Sequence, residues 1–313
     1  MNKLKKEAAK ISVLVICGPT GSGKTGLALS LADTFPLEII SADSRQVYRR
    51  MDIGTAKATL QEQAVVPHHM IDLIDPDQDF SVADFVDQSK PLIADIAARN
   101  KIPCIVGGTG LYIRALIGGL AALPSSDSKL RSQLHQLEID EGSGTLFREL
   151  QKVDPVSAAS IHPNNIIRIV RALEVFTLSG RKLSELKAEH SFSEQPYRVL
   201  KLAPDFSRVQ LYSRINQRSE QMIVSGLVDE VKSLVESYSF DLKALQTLGY
   251  REVVRFLKAE ITAEQMLCDI QKYTRQYAKR QLTWFRKEAD IIWVDSSTKS
   301  DKVVQSIDNF LLE

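Results

Sequence analysis

Residues 18–25 carry the most informative chemistry of this 313-residue chain. They read Gly-Pro-Thr-Gly-Ser-Gly-Lys-Thr and fit G-x-x-x-x-G-K-[ST], the P-loop, whose backbone N–H groups curl around a phosphate. The apolar run at 13–17 predicts a buried strand leading in, and the leucines that follow predict the packed face of a helix. Lys24 would then reach a phosphate oxygen, and Thr25 would offer its hydroxyl to Mg²⁺. The motif predicts a polyphosphate ligand but does not specify ATP.

A carboxylate, Asp43, follows a second predicted strand at 38–41. Parallel strands place their sites at their carboxyl ends, so Asp43 should face the P-loop. There it could orient Mg²⁺ or accept a proton from an incoming nucleophile, or it could merely cap the next turn. The donors and acceptors of residues 44–48 suit a base edge and favour a nucleophile-recognition loop. The later strand at 102–106 ends in Gly-Gly-Thr-Gly, without the Mg²⁺-organising carboxylate typical of nucleoside-triphosphatases.

The predicted helix at 262–288 is strongly basic near its C-terminal end. Its cations between residues 272 and 287, with no acid among them, are Lys272, Arg275, Lys279, Arg280, Arg286 and Lys287. Its interleaved aromatic residues are Tyr273, Tyr277, Trp284 and Phe285. On a chain with a net charge of only +1, one basic face indicates a polyanionic partner, with a solvated helix face as the alternative.

Two arginines four residues apart, Arg214 and Arg218, share one face of another predicted helix. They could clamp an anionic leaving group, although a surface arginine pair would have the same spacing.

Several elements must position these residues. Apolar runs alternate with helical patterns in the first third of the chain, which predicts an α/β fold: a P-loop-type parallel sheet flanked by helices. Strands are predicted at 12–17, 38–41, 70–74, 102–106, 198–203 and 291–294. Residues 126–190 hold helical patterns without a convincing strand. We therefore predict an inserted all-helical subdomain at 125–194, within a core made of residues 1–124 and 195–313. Further helices are predicted at 207–225, 227–237, 247–258 and 262–288.

The composition is ordinary for a globular enzyme, with 25% charged and 44% apolar residues. The three cysteines are isolated, which predicts free thiols rather than disulfides, and the histidine spacing predicts no metal site beyond Mg²⁺. No stretch approaches the roughly 18 apolar residues of a membrane span. Because no apolar region follows the lysines of residues 3–10 before the first strand, we expect no secretory signal there. We therefore expect a cytoplasmic protein without a membrane partner.

Taken together, these motifs resemble the tRNA dimethylallyltransferases, also called tRNA isopentenyltransferases. The matching segments run in order through nearly the whole chain, at 18–25, 41–48, 51–57, 67–70, 107–112, 154–156, 161–165, 171–175, 248–252 and 274–286. Many families share the P-loop, but the ordered set is highly specific.

The resemblance implies transfer of a dimethylallyl group from dimethylallyl diphosphate to tRNA, with release of diphosphate. The acceptor would be N6 of the adenosine 3′-adjacent to the anticodon, in tRNAs that read codons starting with U. The implied catalytic residues are Asp43, Arg218 and Thr20, with Mg²⁺ held by Thr25. Asp43 would act as the general base, because an exocyclic adenine amine is a poor nucleophile. The adenine would leave its stack to reach the phosphate site.

The resemblance also implies two sets of binding residues. The diphosphate would be bound by Gly18, Pro19, Thr20, Gly21, Ser22, Gly23, Lys24 and Thr25. The anticodon stem-loop of tRNA would be bound by Asp43, Ser44, Arg45, Gln46, Thr109, Arg131, Ile167, Arg168, Arg171, Gln246, Gly249, Tyr250, Arg251, Lys279, Arg280, Gln281, Trp284 and Arg286. We expect the enzyme to act as a monomer.

Three alternatives to this function remain at this point. A P-loop small-molecule kinase would explain residues 18–25 but not the basic aromatic helix. An adenylate isopentenyltransferase would use the same chemistry on a free nucleotide and would need no grip on a stem-loop. A protein that only binds RNA would leave the P-loop and Asp43 without a purpose.

Overall fold

A six-stranded sheet organises the fold, in the order β3-β2-β4-β1-β5-β6. The computed structural model describes residues 10–190, 194–295 and 300–312. The strands are β1 (Ile11–Cys17), β2 (Leu37–Ser41), β3 (His68–His69), β4 (Ile102–Gly107), β5 (Tyr197–Asp205) and β6 (Ile291–Asp295). All neighbouring strands are parallel. Because β1 pairs with β4 on one side and β5 on the other, it lies inside the sheet and is buried, as its apolar run predicts. The predicted α/β class is confirmed.

Helices connect and cover the strands. They are α1 (Lys24–Ala32), α2 (Leu60–Val65), α3 (Val82–Ala98), α4 (Gly110–Gly118), α5 (Ser128–Asp140), α6 (Thr145–Val153), α7 (Pro155–Ser160), α8 (Ile166–Ser179), α9 (Leu183–His190), α10 (Arg208–Val224), α11 (Leu227–Ser237), α12 (Tyr250–Leu257), α13 (Ala263–Phe285) and α14 (Asp301–Leu312). A 3₁₀ helix at Lys243–Gln246 precedes α12. None of the described helices is long and apolar enough to cross a membrane.

The chain divides into two compact units, Met1–Ile117 with Gln195–Glu313, and Gly118–Glu194. The first contains the sheet. Leu27, Ala28 and Leu31 of α1 pack in a core with Leu14 and Ile16 of β1, which fixes the start of α1 directly after the P-loop.

The second unit consists of helices, with no strand in the part of it that the structure describes. It begins at Gly118, whereas the sequence analysis placed its start at 125. Its core includes Leu146, Leu150, Ile169 and Val175, all fully buried. These residues come from α6 and α8, so the unit has a hydrophobic core of its own.

The predicted strand at 70–74 is wrong. Met70 and Asp72 have φ values of +63° and +53°, in the left-handed region, so the chain leaves the extended conformation after β3. Lys57 holds this turn, because its buried Nζ donates to Asp72 Oδ1 at 2.6 Å and to the Tyr48 carbonyl at 2.8 Å. The backbone N–H groups of Asp72 and Leu73 donate to the carbonyls of Gln46 and Val47, so this segment runs along residues 46–49 as an irregular stretch with an isolated bridge between Tyr48 and Ile74.

Candidate active site

The P-loop connects β1 to α1 through three glycines that need positive φ. Gly18, Gly21 and Gly23 have φ values of +138°, +82° and +78°, which residues with a Cβ rarely adopt. The Ser22 hydroxyl inside the loop is buried and has no hydrogen-bond partner among the described residues. A buried hydroxyl without a partner is costly, so its position suits an anionic ligand that would accept a hydrogen bond from it.

Three cations converge on this loop. Lys24 Nζ donates to the Pro19 carbonyl at 2.8 Å, and Arg214 Nε donates to the Gly21 carbonyl at 2.9 Å. Arg218 donates to the Thr20 hydroxyl. None of the three cations forms an ion pair within the described ranges.

Positive charge is therefore concentrated at the loop. Burial and then the charge of Arg218 lower the pKa of Lys24 to about 8, against the opposing effect of Asp43. The pKa of Arg218 is also lowered, first by burial and then by Arg214, again against Asp43. Both shifts reflect cations that are poorly solvated and mutually repelling, so the electrostatics of the loop favour a bound anion.

Asp43 lies two residues beyond the end of β2, next to these cations. Its Oδ1 accepts a hydrogen bond from the backbone N–H of Arg45 at 2.8 Å, while the N–H of Ser44 donates to Thr109 Oγ1 at 3.2 Å. Asp43, Thr20 and Arg218 line one cleft, in which Asp43 is the only carboxylate among the described lining residues. The structure thus brings together the three residues predicted to be catalytic.

The remaining walls of this cleft include side chains that the sequence analysis missed. Met222, Leu248 and Ile270 form an apolar wall, and the Thr247 hydroxyl is buried without a partner among the described residues. Leu248 falls inside a matching segment, but Met222 and Ile270 stand in helices where apolar residues are expected for packing alone.

Two of the residues predicted to bind tRNA have buried side chains. The Tyr250 ring is fully buried, and its hydroxyl donates to Glu230 Oε1 at 2.6 Å, so it packs the core below Gly54. Gln281 is only 7% exposed, and both ends of its amide are hydrogen bonded within the protein. The polar groups of both side chains are thus hydrogen bonded within the protein.

Gln46 also uses its amide inside the protein. Its Oε1 accepts from Ser41 Oγ at 2.8 Å, and its Nε2 donates to the carbonyls of Thr55 and Ala56 at 3.2 Å each. The side chain therefore fixes the loop between β2 and α2 instead of presenting free amide hydrogens.

In the helical unit, two predicted arginines share a buried partner. Arg131 Nε and Arg171 Nη1 donate to the fully buried Glu174 carboxylate at 2.8 Å and 2.5 Å. Burial raises the pKa of Glu174, but these hydrogen bonds outweigh it and the net pKa is lowered. Arg168 and Ile167 are instead exposed at the start of α8.

The last predicted residues lie on or before α12 and α13. Gln246, Lys279, Arg280 and Arg286 are exposed, and the three cations form no ion pair in the described part of the chain. Trp284 is half-buried, with the Arg114 guanidinium 4.5 Å from its ring centroid. Arg251 pairs with Glu252 at 2.5 Å, and Gly249 has a φ of +90° at the start of α12.

Comparison with known proteins decides the family. The profile of the IPP transferase family matches residues 46–288, and that of isopentenyl transferases matches residues 11–71. The chain belongs to the IPP transferase family.

Relatives of this IPP transferase family member cover nearly its whole length. It is 50% identical to tRNA dimethylallyltransferase 1 of Syntrophotalea carbinolica, over 96% of each chain. The crystal structure of the full-length tRNA isopentenylpyrophosphate transferase from Bacillus halodurans is 41% identical, with a TM-score of 0.71 over 97% of this chain and 96% of that one. A eukaryotic dimethylallyltransferase, solved acting on tRNA, is 30% identical with a TM-score of 0.83, over 96% of this chain and 79% of that one.

Proposed function

We propose that this IPP transferase family member transfers a dimethylallyl group from dimethylallyl diphosphate to tRNA. One observation carries the proposal: Asp43, the carboxylate suited to accept a proton, lines one cleft with Thr20 of the P-loop and with Arg218, which donates to the Thr20 hydroxyl. The similar proteins are named tRNA dimethylallyltransferases, and one was solved acting on tRNA, which supports tRNA as the acceptor.

The proposed reaction is a substitution at the first carbon of the dimethylallyl group. N6 of the adenosine 3′-adjacent to the anticodon forms the new C–N bond, and the allylic C–O bond breaks with its electron pair leaving on diphosphate. Asp43 accepts the proton that N6 loses, so charge and atoms balance. The adenine must leave its stack to reach the cleft, and tRNAs that read codons starting with U are the proposed substrates.

The leaving diphosphate becomes more negative as the C–O bond breaks. Lys24, Arg218 and the N–H groups of the P-loop would stabilise this charge, because they are held in place before the reaction begins. Thr20 would act with Arg218, whose guanidinium is already bonded to its hydroxyl.

The residues of the loop also fit Mg²⁺. Thr25 provides one hydroxyl at the start of α1. This donor set suits Mg²⁺, which keeps several waters and binds mainly through substrate phosphates. When bound, the ion would neutralise part of the diphosphate charge.

We further propose that the enzyme acts as a monomer. A cytoplasmic location fits tRNA as the acceptor and is also a proposal.

Radiolabelled dimethylallyl diphosphate, offered separately with tRNA, AMP or ADP, tests the function. We expect label in tRNA alone, at the adenosine next to the anticodon, and much slower labelling of tRNA by the Asp43→Asn enzyme. Label in AMP or ADP would instead support an adenylate isopentenyltransferase, and an ATP-dependent phosphorylated product would support a kinase.

A further inference from the structure

Gln281 bridges two loops that end neighbouring strands of the sheet. Its Oε1 accepts from the backbone N–H of Thr20 in the P-loop at 2.8 Å, and its Nε2 donates to the carbonyl of Gly108 at 2.8 Å. A Cβ on Gly108 would lie 2.3 Å from Gln281 Nε2, so only glycine leaves room for the bridge. The side chain is buried, which strengthens both hydrogen bonds and makes their loss costly.

Gln281 belongs to the same helix as the exposed cations proposed to contact RNA. Lys279 and Arg280 precede it directly, and Arg286 follows about one turn later, at the end of α13. A helix transmits displacement along its length, so RNA that pulls on these cations also acts on Gln281.

A second link joins α13 to the P-loop through α10. Arg275 on α13 donates to Asn216 Oδ1 on α10 at 2.6 Å. Arg214 and Arg218, on either side of Asn216, are bonded to Gly21 and Thr20. The P-loop is thus held by side chains from both helices.

We infer that Gln281 is a positioning residue that couples tRNA binding on α13 to diphosphate binding in the P-loop. This inference rests on the proposed function. Because Gln281 holds the Thr20 amide, RNA that restrains α13 also restrains the phosphate-binding loop. Such coupling is reciprocal: bound RNA tightens diphosphate binding, and bound diphosphate tightens RNA binding by the same factor.

The test measures the affinity for inorganic diphosphate, in Mg²⁺, with and without an anticodon stem-loop RNA. Titration calorimetry on wild-type protein should show diphosphate affinity rising about 5-fold or more when RNA is saturating. Gln281→Met replaces the amide by a side chain of similar length that can form neither hydrogen bond. In this variant, the ratio of diphosphate affinities with and without RNA should fall close to 1. RNA affinity without diphosphate should change less than about 2-fold, because the exposed cations are intact.

Two further variants secure the interpretation. Gln271→Met is the matched control, because Gln271 lies on α13 and donates to Glu220 on α10 at 3.2 Å without touching the P-loop; it should keep the wild-type ratio. Gly108→Ala should break the bridge from its other end and lose the coupling, even if Gln281→Met folds poorly.

An unchanged ratio in Gln281→Met and Gly108→Ala, or a wild-type ratio of 1, would overturn the inference while leaving tRNA prenylation intact. A wild-type protein that binds no stem-loop would contradict the proposed function instead.

Discussion

At the scale of single residues, the site depends on charges that the protein does not neutralise by itself. Lys24, Arg214 and Arg218 bond to carbonyl or hydroxyl oxygens of the P-loop rather than to carboxylates. Asp43 lies close enough to influence the pKa of both Lys24 and Arg218, yet it bonds only to a backbone amide among the described contacts. Removing any one of these groups should therefore lower the rate of the reaction more than the stability of the fold.

Asp43→Asn should lower the single-turnover rate of transfer by about 10²-fold or more, because the amide cannot take the N6 proton. Rapid-quench measurement at saturating tRNA checks this, and tRNA affinity should change far less. Asp87→Asn, at an exposed position on α3, is the control and should react at the wild-type rate. An unchanged rate with collapsed tRNA affinity would make Asp43 a recognition residue only.

The lowered pKa of Lys24 gives the enzyme an alkaline limit. With a pKa of about 8, Lys24 is charged below this pH and neutral above it. The kcat/KM for dimethylallyl diphosphate, which reports the free enzyme, should fall as pH rises through about 8. Lys24→Arg keeps its charge and should be slower but lose this decline. A flat wild-type profile, or the same decline in the arginine variant, would contradict this account of Lys24.

At the residue scale, the sequence could predict the placement of residues whose position follows from local spacing. The P-loop motif fixes Lys24 relative to the glycines, and Asp43 follows directly from the end of its strand. Gln281 and Tyr250 could not be assigned in this way. Gln281 reaches Thr20 across 261 residues and Gly108 across 173, so only tertiary structure reveals that its amide is occupied.

At the scale of elements, α13 packs against the core with one set of residues and exposes cations with another. Its buried residues include Met266, Ile270 and Phe285, whereas Lys279 and Arg286 are exposed and unpaired within the described ranges. The basic pattern was evident in the sequence because a helical face needs only local spacing. The failed strand at 70–74 shows the opposite case, since its conformation depends on tertiary contacts with Lys57 and with the backbone of residues 46–49, which apolar alternation does not reveal.

Replacing both Lys279 and Arg286 by glutamine should weaken the binding of all substrate tRNAs to a similar extent. The slope of log affinity against log salt should become shallower by about 1 to 2, because fewer phosphates are neutralised. Filter binding across a salt series measures this, with Lys90→Gln and Lys302→Gln on exposed positions of α3 and α14 as the control pair. Transfer at saturating tRNA should survive. A slope equal to that of the control would make this face of α13 an ordinary solvated surface.

At the scale of the whole molecule, the strand order explains why distant segments form one site. β1 lies beside β4, and β4 lies beside β2, so the P-loop, the Gly107–Thr109 segment and Asp43 all emerge at the carboxyl edge of the sheet. A parallel sheet of this class could be predicted from the alternation of strands and helices. The sequence does not predict that α10 and α13 cover this edge, because no local pattern encodes which helices pack there.

The central claim is that the P-loop holds a diphosphate whose allylic C–O bond breaks, with no phosphoryl transfer. The most direct measurement gives nucleotide-free protein only Mg²⁺, dimethylallyl diphosphate and tRNA, and counts every product. We expect N6-dimethylallyl adenosine over many turnovers, an equal amount of diphosphate and no orthophosphate, with Lys24→Ala strongly suppressing the reaction because it removes charge at the leaving group. A strict requirement for ATP, or ATP hydrolysis that rises with added tRNA, would contradict the account.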